Sequence, residues 1–172
     1  MSDPNLSIMT EQQRQLRNSE RLLELFPSFR ERIGQVIIDL EAMGVRPRIQ
    51  DAYRTPADQL IAFNSGNSKL KFGFHNVTGP NNEKESLAVD MLDDDHPLDL
   101  SKSYLLKLAF VSENNGLITG IRWGVPAKLI IAIDEAIATQ NWNANVKIGW
   151  DPSHVQPTDI TVREAKNGKR PL

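Results

Sequence analysis

The stretch SLAVDML at residues 86–92 places one carboxylate, Asp90, inside a short run of apolar residues. Such a run, bounded by polar segments, favours a strand over residues 87–92. Burying an ionised carboxylate is costly unless it is paired or bound to a cation. Asp90 is therefore either a ligand to another group or a strand-end residue that caps the turn formed by the three aspartates after it.

Two helices are predicted before this strand. The sequence TEQQ at residues 10–13 fits a capping box for a helix over about 11–26. The sequence SFRE at residues 28–31 fits a second capping box, for a helix over about 29–43 that Pro27 separates from the first. The apolar residues at helical spacing in the first helix are Leu16, Leu23 and Phe26. Those in the second are Phe29, Ile33, Val36, Ile37 and Leu40.

The rest of the chain mixes short strands with helices. Further strands are predicted at 46–53 and 118–123, with a hairpin of 146–150 and 154–156 near the end. Further helices are predicted from Thr55-Pro56 to about Asn64, over 101–114, and after Pro126 with Ile130, Ile133 and Ile137 on one face. Because no regular alternation of strand and helix occurs, we predict a single α+β domain, a small antiparallel sheet flanked by helices.

Composition excludes several classes of function. The 172 residues contain no cysteine, which rules out disulfides, thiolate metal sites and a cysteine nucleophile. The formal net charge of −2 does not indicate a nucleic-acid-binding protein. No apolar run is long enough to span a bilayer, and the first residues lack the pattern of a secretory signal peptide.

Three segments carry residues suited to catalysis. In DPSH at residues 151–154, an aspartate three positions before a histidine is a pair that metal-dependent hydrolases use, although a surface turn explains the tetrapeptide equally well. Catalytic zinc usually has three protein ligands, and His75, Asp90 and His154 would supply them. Arg54, at a predicted strand-to-helix junction, would offer a fork of donors to a carboxylate or oxyanion, or would simply cover the core surface.

The order of these segments is more specific than any one of them. AYRTPADQ at 52–59, FGFHN at 72–76, SLAVDML at 86–92 and GWDPSHVQ at 149–156 together resemble the M15 peptidase family. The resemblance is strongest to the L-alanyl-D-glutamate endopeptidases of phage endolysins and wall-remodelling enzymes. The wider family, with its hedgehog-like and D-Ala-D-Ala peptidase-like fold, also includes D-Ala-D-Ala dipeptidases and carboxypeptidases.

This resemblance implies a role for each candidate residue. It implies one Zn²⁺ held by His75, Asp90 and His154, with Asp151 as the catalytic acid/base. It makes Arg54 the residue that stabilises the carbonyl oxygen as it becomes tetrahedral, and Gln59 a substrate-binding residue.

Four departures from the family pattern accompany the resemblance. Gly73 stands where the family has serine, Ser86 where it has glycine, and Gln156 where it has glutamate. Asp90 follows His75 by fifteen positions rather than seven, because about eight residues, 78–85, are inserted. The alternatives for the second ligand are Asp93, Asp94 and Asp95, whereas His96 has no counterpart and is predicted to lie at the surface. We expect the inserted segment to line the cleft and to contribute little to the core.

The resemblance also implies a function and a place of action. The expected domains are a flexible N-terminus at 1–10, a zinc peptidase domain at 11–160 and a basic C-terminal tail at 161–172. The expected activity is hydrolysis of peptidoglycan stem peptides, by an endolysin or an injected wall-degrading effector that is made in the cytoplasm and reaches the wall or periplasm by another system. The expected partners are therefore peptidoglycan peptides, with no nucleic acid, no membrane span and an unidentified immunity or delivery partner. The alternatives are a D-Ala-D-Ala carboxypeptidase or dipeptidase, and a non-catalytic zinc-containing relative that binds the wall.

Overall fold

The structure is a computed structural model that describes residues 6–172. Over these residues it forms a single α+β domain with a four-stranded antiparallel sheet, as predicted. The helices are α1 (Glu11–Leu22), α2 (Pro27–Ala42), α3 (Pro56–Asn64), α4 (Lys102–Asn114), α5 (Ala127–Ala138) and α6 (Val162–Lys166). The strands are β1 (Pro47–Asp51), β2 (Val89–Asp93), β3 (Leu117–Gly120) and β4 (Asp151–Pro157).

The sheet has the strand order β1-β2-β4-β3, so the last strand of the chain is inserted between two earlier ones. Val89 of β2 pairs with Val155 of β4, and both side chains are fully buried. Because side chains alternate along a strand, their neighbours Asp90 and His154 project from the opposite face. The sheet therefore has one core face and one face that can carry a site.

Helices α2 and α4 cover the core face. Helix α2 packs on α4 and β1, while α4 packs on β3 and β4. The apolar stripe predicted for the second helix is confirmed, since every one of its five side chains is buried. Burial of this kind contributes roughly 25 cal/mol per Å² of apolar surface and is the main source of the fold's stability.

Helix α1 packs on the domain through polar side chains and not through the predicted leucines. Its capping box at Thr10 and Gln13 is present, but Leu16 and Leu23 are exposed. The buried side chains are Arg14 and Asn18. Asn18 donates from Nδ2 to the carbonyl oxygen of Pro47 at 3.0 Å and accepts from the amide of Ile49 at 2.8 Å. Helix α1 thus provides hydrogen-bond partners for backbone groups at the free edge of β1, which would otherwise be open to pairing with another chain.

Three predicted boundaries are wrong. Helix α1 ends at Leu22 and not near residue 26. Helix α2 begins at Pro27 with Phe26 as its N-cap, so Ser28 caps nothing and the proline starts the second helix instead of only ending the first. The predicted hairpin is absent because residues 146–150 form no strand, and β4 pairs with β2 and β3. The cap predicted at Thr55 is confirmed. Ser101 is the N-cap of α4, and Pro126 is the N-cap of α5.

Both ends of the described chain contact the domain. The carbonyl oxygen of Ser7 accepts from Arg48, and residues 1–5 of the predicted flexible N-terminus lie outside the described residues. The C-terminal residues, predicted to be a solvated basic tail, contain helix α6 instead. Arg170 then donates to Glu85 at 2.6 Å and to the carbonyl oxygen of Thr78 at 3.1 Å. No helix within residues 6–172 has the length and apolar character needed to cross a membrane.

Candidate metal centre

Asp90 and His154 are brought together by strand pairing. They are directly opposed residues of β2 and β4 on the open face of the sheet. His154 Nδ1 lies 3.4 Å from Asp90 Oδ1. Because the register of a strand pair fixes which side chains are neighbours, this contact follows from the fold.

His75 comes from a short 3-10 turn, Phe74–Asn76, in the long segment before β2. The buried side chain of Asn76 fastens this turn: Oδ1 accepts from the amide of Gly73 at 2.8 Å, and Nδ2 donates to the carbonyl oxygen of Arg54 at 2.9 Å. The amide of Arg54 in turn donates to the carbonyl oxygen of His75 at 2.9 Å. The turn that carries His75 is thus joined to the loop that carries Arg54.

The three predicted ligands form one cluster. One ligand atom from each of His75, Asp90 and His154 can be chosen so that all lie within 4.8 Å of one another. His75 Nε2 is 3.5 Å from Asp90 Oδ2, and the two imidazole rings meet edge to face with centroids 5.1 Å apart. Two imidazoles and one carboxylate, with room for a further ligand, form a donor set typical of catalytic zinc.

The hydrogen bonds behind the two histidines fix their tautomers. His75 Nδ1 lies 2.6 Å from the carbonyl oxygen of Ala52, which can only accept, so Nδ1 carries the proton. His154 Nε2 lies 3.0 Å from Gln156 Oε1 and donates to it. In the neutral rings, the unprotonated nitrogens are therefore Nε2 of His75 and Nδ1 of His154, the two that face Asp90. Metal-ligating histidines are normally oriented in this way, so the residues present fit a metal ion.

The electrostatics of the cluster favour an ionised carboxylate. Burial alone would raise the pKa of Asp90, but its interactions with His154 and His75 outweigh burial and hold that pKa well below its usual value. Burial would lower the pKa of His75, yet the hydrogen bond to Asp90 and its charge raise that pKa overall. The cluster thus holds a negative charge that a cation can share with the two rings.

Asp151 lies at the start of β4 beside the cluster. Its Oδ2 is 3.8 Å from His154 Nδ1, and its side chain is one-third exposed to the cleft. Burial, together with the nearby charge of Asp90, raises the pKa of Asp151 against the opposing effect of His154. The backbone of Asp151 packs closely against Gly120. A side chain at position 120 would collide with the backbone carbonyl of Asp151, so glycine is required there.

Arg54 and Gln59 act as a pair. Arg54 Nη1 donates to Gln59 Oε1 at 3.1 Å, and none of the ion pairs among residues 6–172 includes Arg54. The buried amide of Gln59 donates from Nε2 to Ser68 Oγ and to the carbonyl oxygen of Leu70, both at 2.7 Å. The amide of Gln59 therefore orients Arg54 and holds the 68–70 loop, and because Gln59 also lines the cleft, its substrate-binding role stays a prediction.

Two clefts meet at the cluster. The first, of about 440 Å³, contains the three ligand residues, and its walls include Arg54 and Asp151. The second, of about 430 Å³, shares Arg54 and His75 with the first. Of the inserted segment 78–85, Lys84 lines the second cleft, so the expected contact of this segment with a cleft is made by one residue.

The other aspartates considered as ligands have different partners. Asp94 is completely buried and accepts from Arg48 at 2.9 Å and from Arg46 at 3.1 Å. Asp95 pairs with Arg46 at 2.7 Å. His96 is exposed, as predicted.

The sequence did not indicate the residues that support the ligands. Ser86 is fully buried, and its hydroxyl lies 3.1 Å from the carbonyl oxygen of Ala52, which also receives the proton of His75. Asn76 and Trp123 were likewise missed, and Trp123 packs its ring 5.4 Å from that of His154. No local pattern marks such residues, because their roles depend on contacts between distant segments.

Comparison with known proteins gives a limited result. No protein-family model matches the chain, and no curated protein matches it. Among solved structures, the chain is similar to the Serratia marcescens L-Ala D-Glu endopeptidase ChiX, with 19% sequence identity and a TM-score of 0.47 over 83% of this chain and 86% of that one. A likeness of this strength carries no functional argument, so the function has to be argued from the residues of the site.

Proposed function

We propose that this protein is a zinc-dependent peptidase of the M15 type that cleaves peptidoglycan stem peptides at the L-Ala–D-Glu bond. The observation that carries the proposal is the convergence of five side chains on one cleft. His75, Asp90 and His154 offer ligand atoms, while Asp151 and Arg54 border the same space. A purely structural metal site would need neither of these last two residues.

The metal supplies the first part of the chemistry. Bound by His75, Asp90 and His154, a zinc ion would act as a Lewis acid toward a carbonyl and lower the pKa of a nearby water. The tautomers described above direct the ligand nitrogens of the two neutral histidines toward Asp90, and the proton that Asp90 favours on His75 has to leave before a metal binds.

Asp151 moves the proton. Its carboxylate accepts a proton as water attacks the scissile carbonyl and then delivers it to the leaving amine. Because burial and the charge of Asp90 raise its pKa, the carboxyl is a better acceptor than a free aspartate. This sequence requires no covalent intermediate, which agrees with a chain that has no cysteine.

Arg54 stabilises the developing charge. Its guanidinium is held by Gln59 but has no carboxylate partner among the described residues, so its remaining N–H groups are free to donate to an oxyanion. Donors that are already oriented before the reaction cost no reorganisation in the transition state.

The shape of the site supports cleavage within a peptide. The second cleft shares Arg54 and His75 with the first, so a peptide that reaches beyond the first cleft has a second depression next to these two residues. The choice of stem peptides rests on the resemblance of the four sequence segments to M15 peptidases. Because peptidoglycan lies outside the cytoplasmic membrane, this function requires that the chain be exported or released.

The test uses the full chain loaded with zinc and purified peptidoglycan. Digestion should release stem peptides with D-glutamate at their new amino terminus, detected by mass spectrometry. Asp151→Asn should retain the fold and zinc but lose about 10²–10⁴-fold in rate, while the exposed Asp99→Asn is the matched control. Wild-type turnover by Asp151→Asn, or the absence of any new amino terminus with wild-type protein, would overturn the proposal.

A further inference from the structure

Trp150 is an exposed aromatic side chain at the edge of the candidate active-site cleft. It is 70% exposed and lines the cleft together with Trp123. The two indole rings pack with centroids 5.3 Å apart, and Trp123 packs in turn against His154 at 5.4 Å. A continuous row of rings therefore leads from the metal ligand to the solvent.

The backbone holds the exposed indole in place. The amide of Trp150 donates to the carbonyl oxygen of Trp123 at 3.1 Å. Gly124, at a φ of +74°, lies under the ring, and a Cβ there would come within 3.0 Å of it. The amide of Gly149 donates to the carbonyl oxygen of Ile121 at 2.7 Å, which ties the two segments together. An exposed ring held in this way loses little conformational entropy when a ligand covers it.

The surrounding chemistry narrows the class of ligand. The same cleft is lined by the hydrogen-bonding groups of Gln156, Asn67 and Ser68, beside Lys69. A flat apolar surface next to neutral donors and acceptors suits a ring with an apolar C–H face and hydroxyl or amide groups at its edge. A sugar ring with an N-acetyl group has these properties.

The position of Trp150 relative to the reaction fits such a ring. Trp150 directly precedes Asp151, so its exposed ring adjoins the proposed acid/base. In a stem peptide, L-alanine is attached to the amino sugar, and the bond after it is therefore one residue from that sugar. One extended residue spans about 3.3–3.6 Å, so the sugar lies close to the reacting bond, and the row of rings begins at His154 beside that bond.

Building on the proposed function, we propose that Trp150, supported by Trp123, binds the N-acetylated amino sugar to which the stem peptide is attached. The enzyme then prefers peptides that still carry this sugar over free peptides of the same sequence.

The experiment measures kcat/KM on two synthetic substrates, one stem tetrapeptide with and without an N-acetylmuramyl group at its amino terminus. The wild-type enzyme should prefer the sugar-bearing peptide. Trp150→Ala should reduce this preference by roughly 5–10-fold, the range expected for loss of a stacked aromatic contact. Trp150→Phe should restore part of it. Ile131→Ala, which removes a similarly exposed apolar side chain on α5 away from the cleft, should leave the preference unchanged.

The outcomes separate this inference from the proposed function. If the wild-type enzyme cleaves both peptides equally, the inference is wrong while the peptidase function stands. The same holds if Trp150→Ala lowers kcat/KM for both peptides by the same factor, because Trp150 then contacts the peptide and not the sugar. If neither peptide nor intact peptidoglycan is cleaved, the proposed function itself fails.

Discussion

Asp90 and His154 are opposed residues of an antiparallel strand pair, and their side chains meet at 3.4 Å on the open face of the sheet. The same register buries Val89 and Val155 on the other face. The core therefore fixes the separation of two proposed ligands, and only His75 depends on a loop. Ligands held on strands are more precisely placed than ligands held on loops, which favours a site that is formed before the metal arrives.

The first prediction concerns the second ligand. Asp90→Ala should reduce zinc affinity by more than about 100-fold, because loss of a ligand should exceed the ~10–100-fold effect of losing a supporting hydrogen bond. Asp93→Ala is the matched control and should retain stoichiometric zinc. Zinc content after dialysis, measured by mass spectrometry, distinguishes the two. Retention of zinc by Asp90→Ala together with its loss from Asp93→Ala would show that the wrong aspartate has been chosen.

The second prediction concerns the acceptor behind His154. Gln156→Leu removes the oxygen that receives the proton of Nε2 at 3.0 Å. The ring then loses its fixed tautomer, and zinc affinity should fall about 10–100-fold. Gln156→Glu supplies a charged acceptor and should increase affinity above that of the wild type. Calorimetric titration checks both, with Gln12→Leu on the exposed side of α1 as a control, and equal affinities for all four proteins would contradict the assigned role.

The third prediction is a pH dependence of zinc stabilisation. Burial tends to lower the pKa of His75, but Asp90 raises it overall, so the metal-free histidine stays protonated to a higher pH than a free one. Zinc must displace this proton, and its affinity should fall as the pH drops through that pKa. In the metal-free protein, protonated His75 adds stability below the pKa of the unfolded chain, and this stability is lost as the pH rises through the folded pKa.

Both effects act in the same direction. The difference in Tm with and without zinc should shrink between about pH 8 and pH 5, and differential scanning fluorimetry at constant ionic strength measures it. A difference that stays constant, or that widens toward acid pH, would mean that His75 does not compete with the metal for a proton.

The sequence was most informative where local rules decide the structure. Helix α2 was predictable because its apolar residues repeat at the helical period, and α3 because Thr55 and Pro56 form a cap and a first turn. The three proposed ligands were also predicted from the sequence, since each stands in a short segment whose order resembles a known family. The structure brings these three together in one cluster.

The sequence was least informative where distant segments meet. The insertion of β4 between β2 and β3 is a long-range pairing that no local pattern specifies. The local pattern of residues 146–150 instead predicts a strand that pairs with the next segment as a hairpin. Helix α1 has leucines at helical spacing but turns Asn18 inward, because an amide can bond the free edge of β1 and a leucine cannot. The prediction of a solvated C-terminal tail is wrong for a similar reason, because Arg170 donates a hydrogen bond to Glu85, a residue far away in the sequence.

The last prediction concerns that contact. The inserted segment 78–85 is polar and was expected to contribute little to the core, but Arg170 donates hydrogen bonds to both Glu85 and the carbonyl oxygen of Thr78.

The side chains of Arg170 and Glu85 are only 15% and 19% exposed, so this ion pair is better shielded from solvent than a surface pair. Arg170→Ala should therefore lower the free energy of unfolding by about 1–3 kcal/mol, since it leaves the mostly buried carboxylate of Glu85 without its partner. Lys169→Ala, whose ammonium pairs with the exposed Glu164, should change the free energy of unfolding much less, because solvent screens that pair. Urea denaturation of both variants, and of Glu85→Ala with and without Arg170→Ala, gives the coupling energy directly. Additive effects of the two substitutions would show that the inserted segment and the C-terminal residues do not stabilise each other.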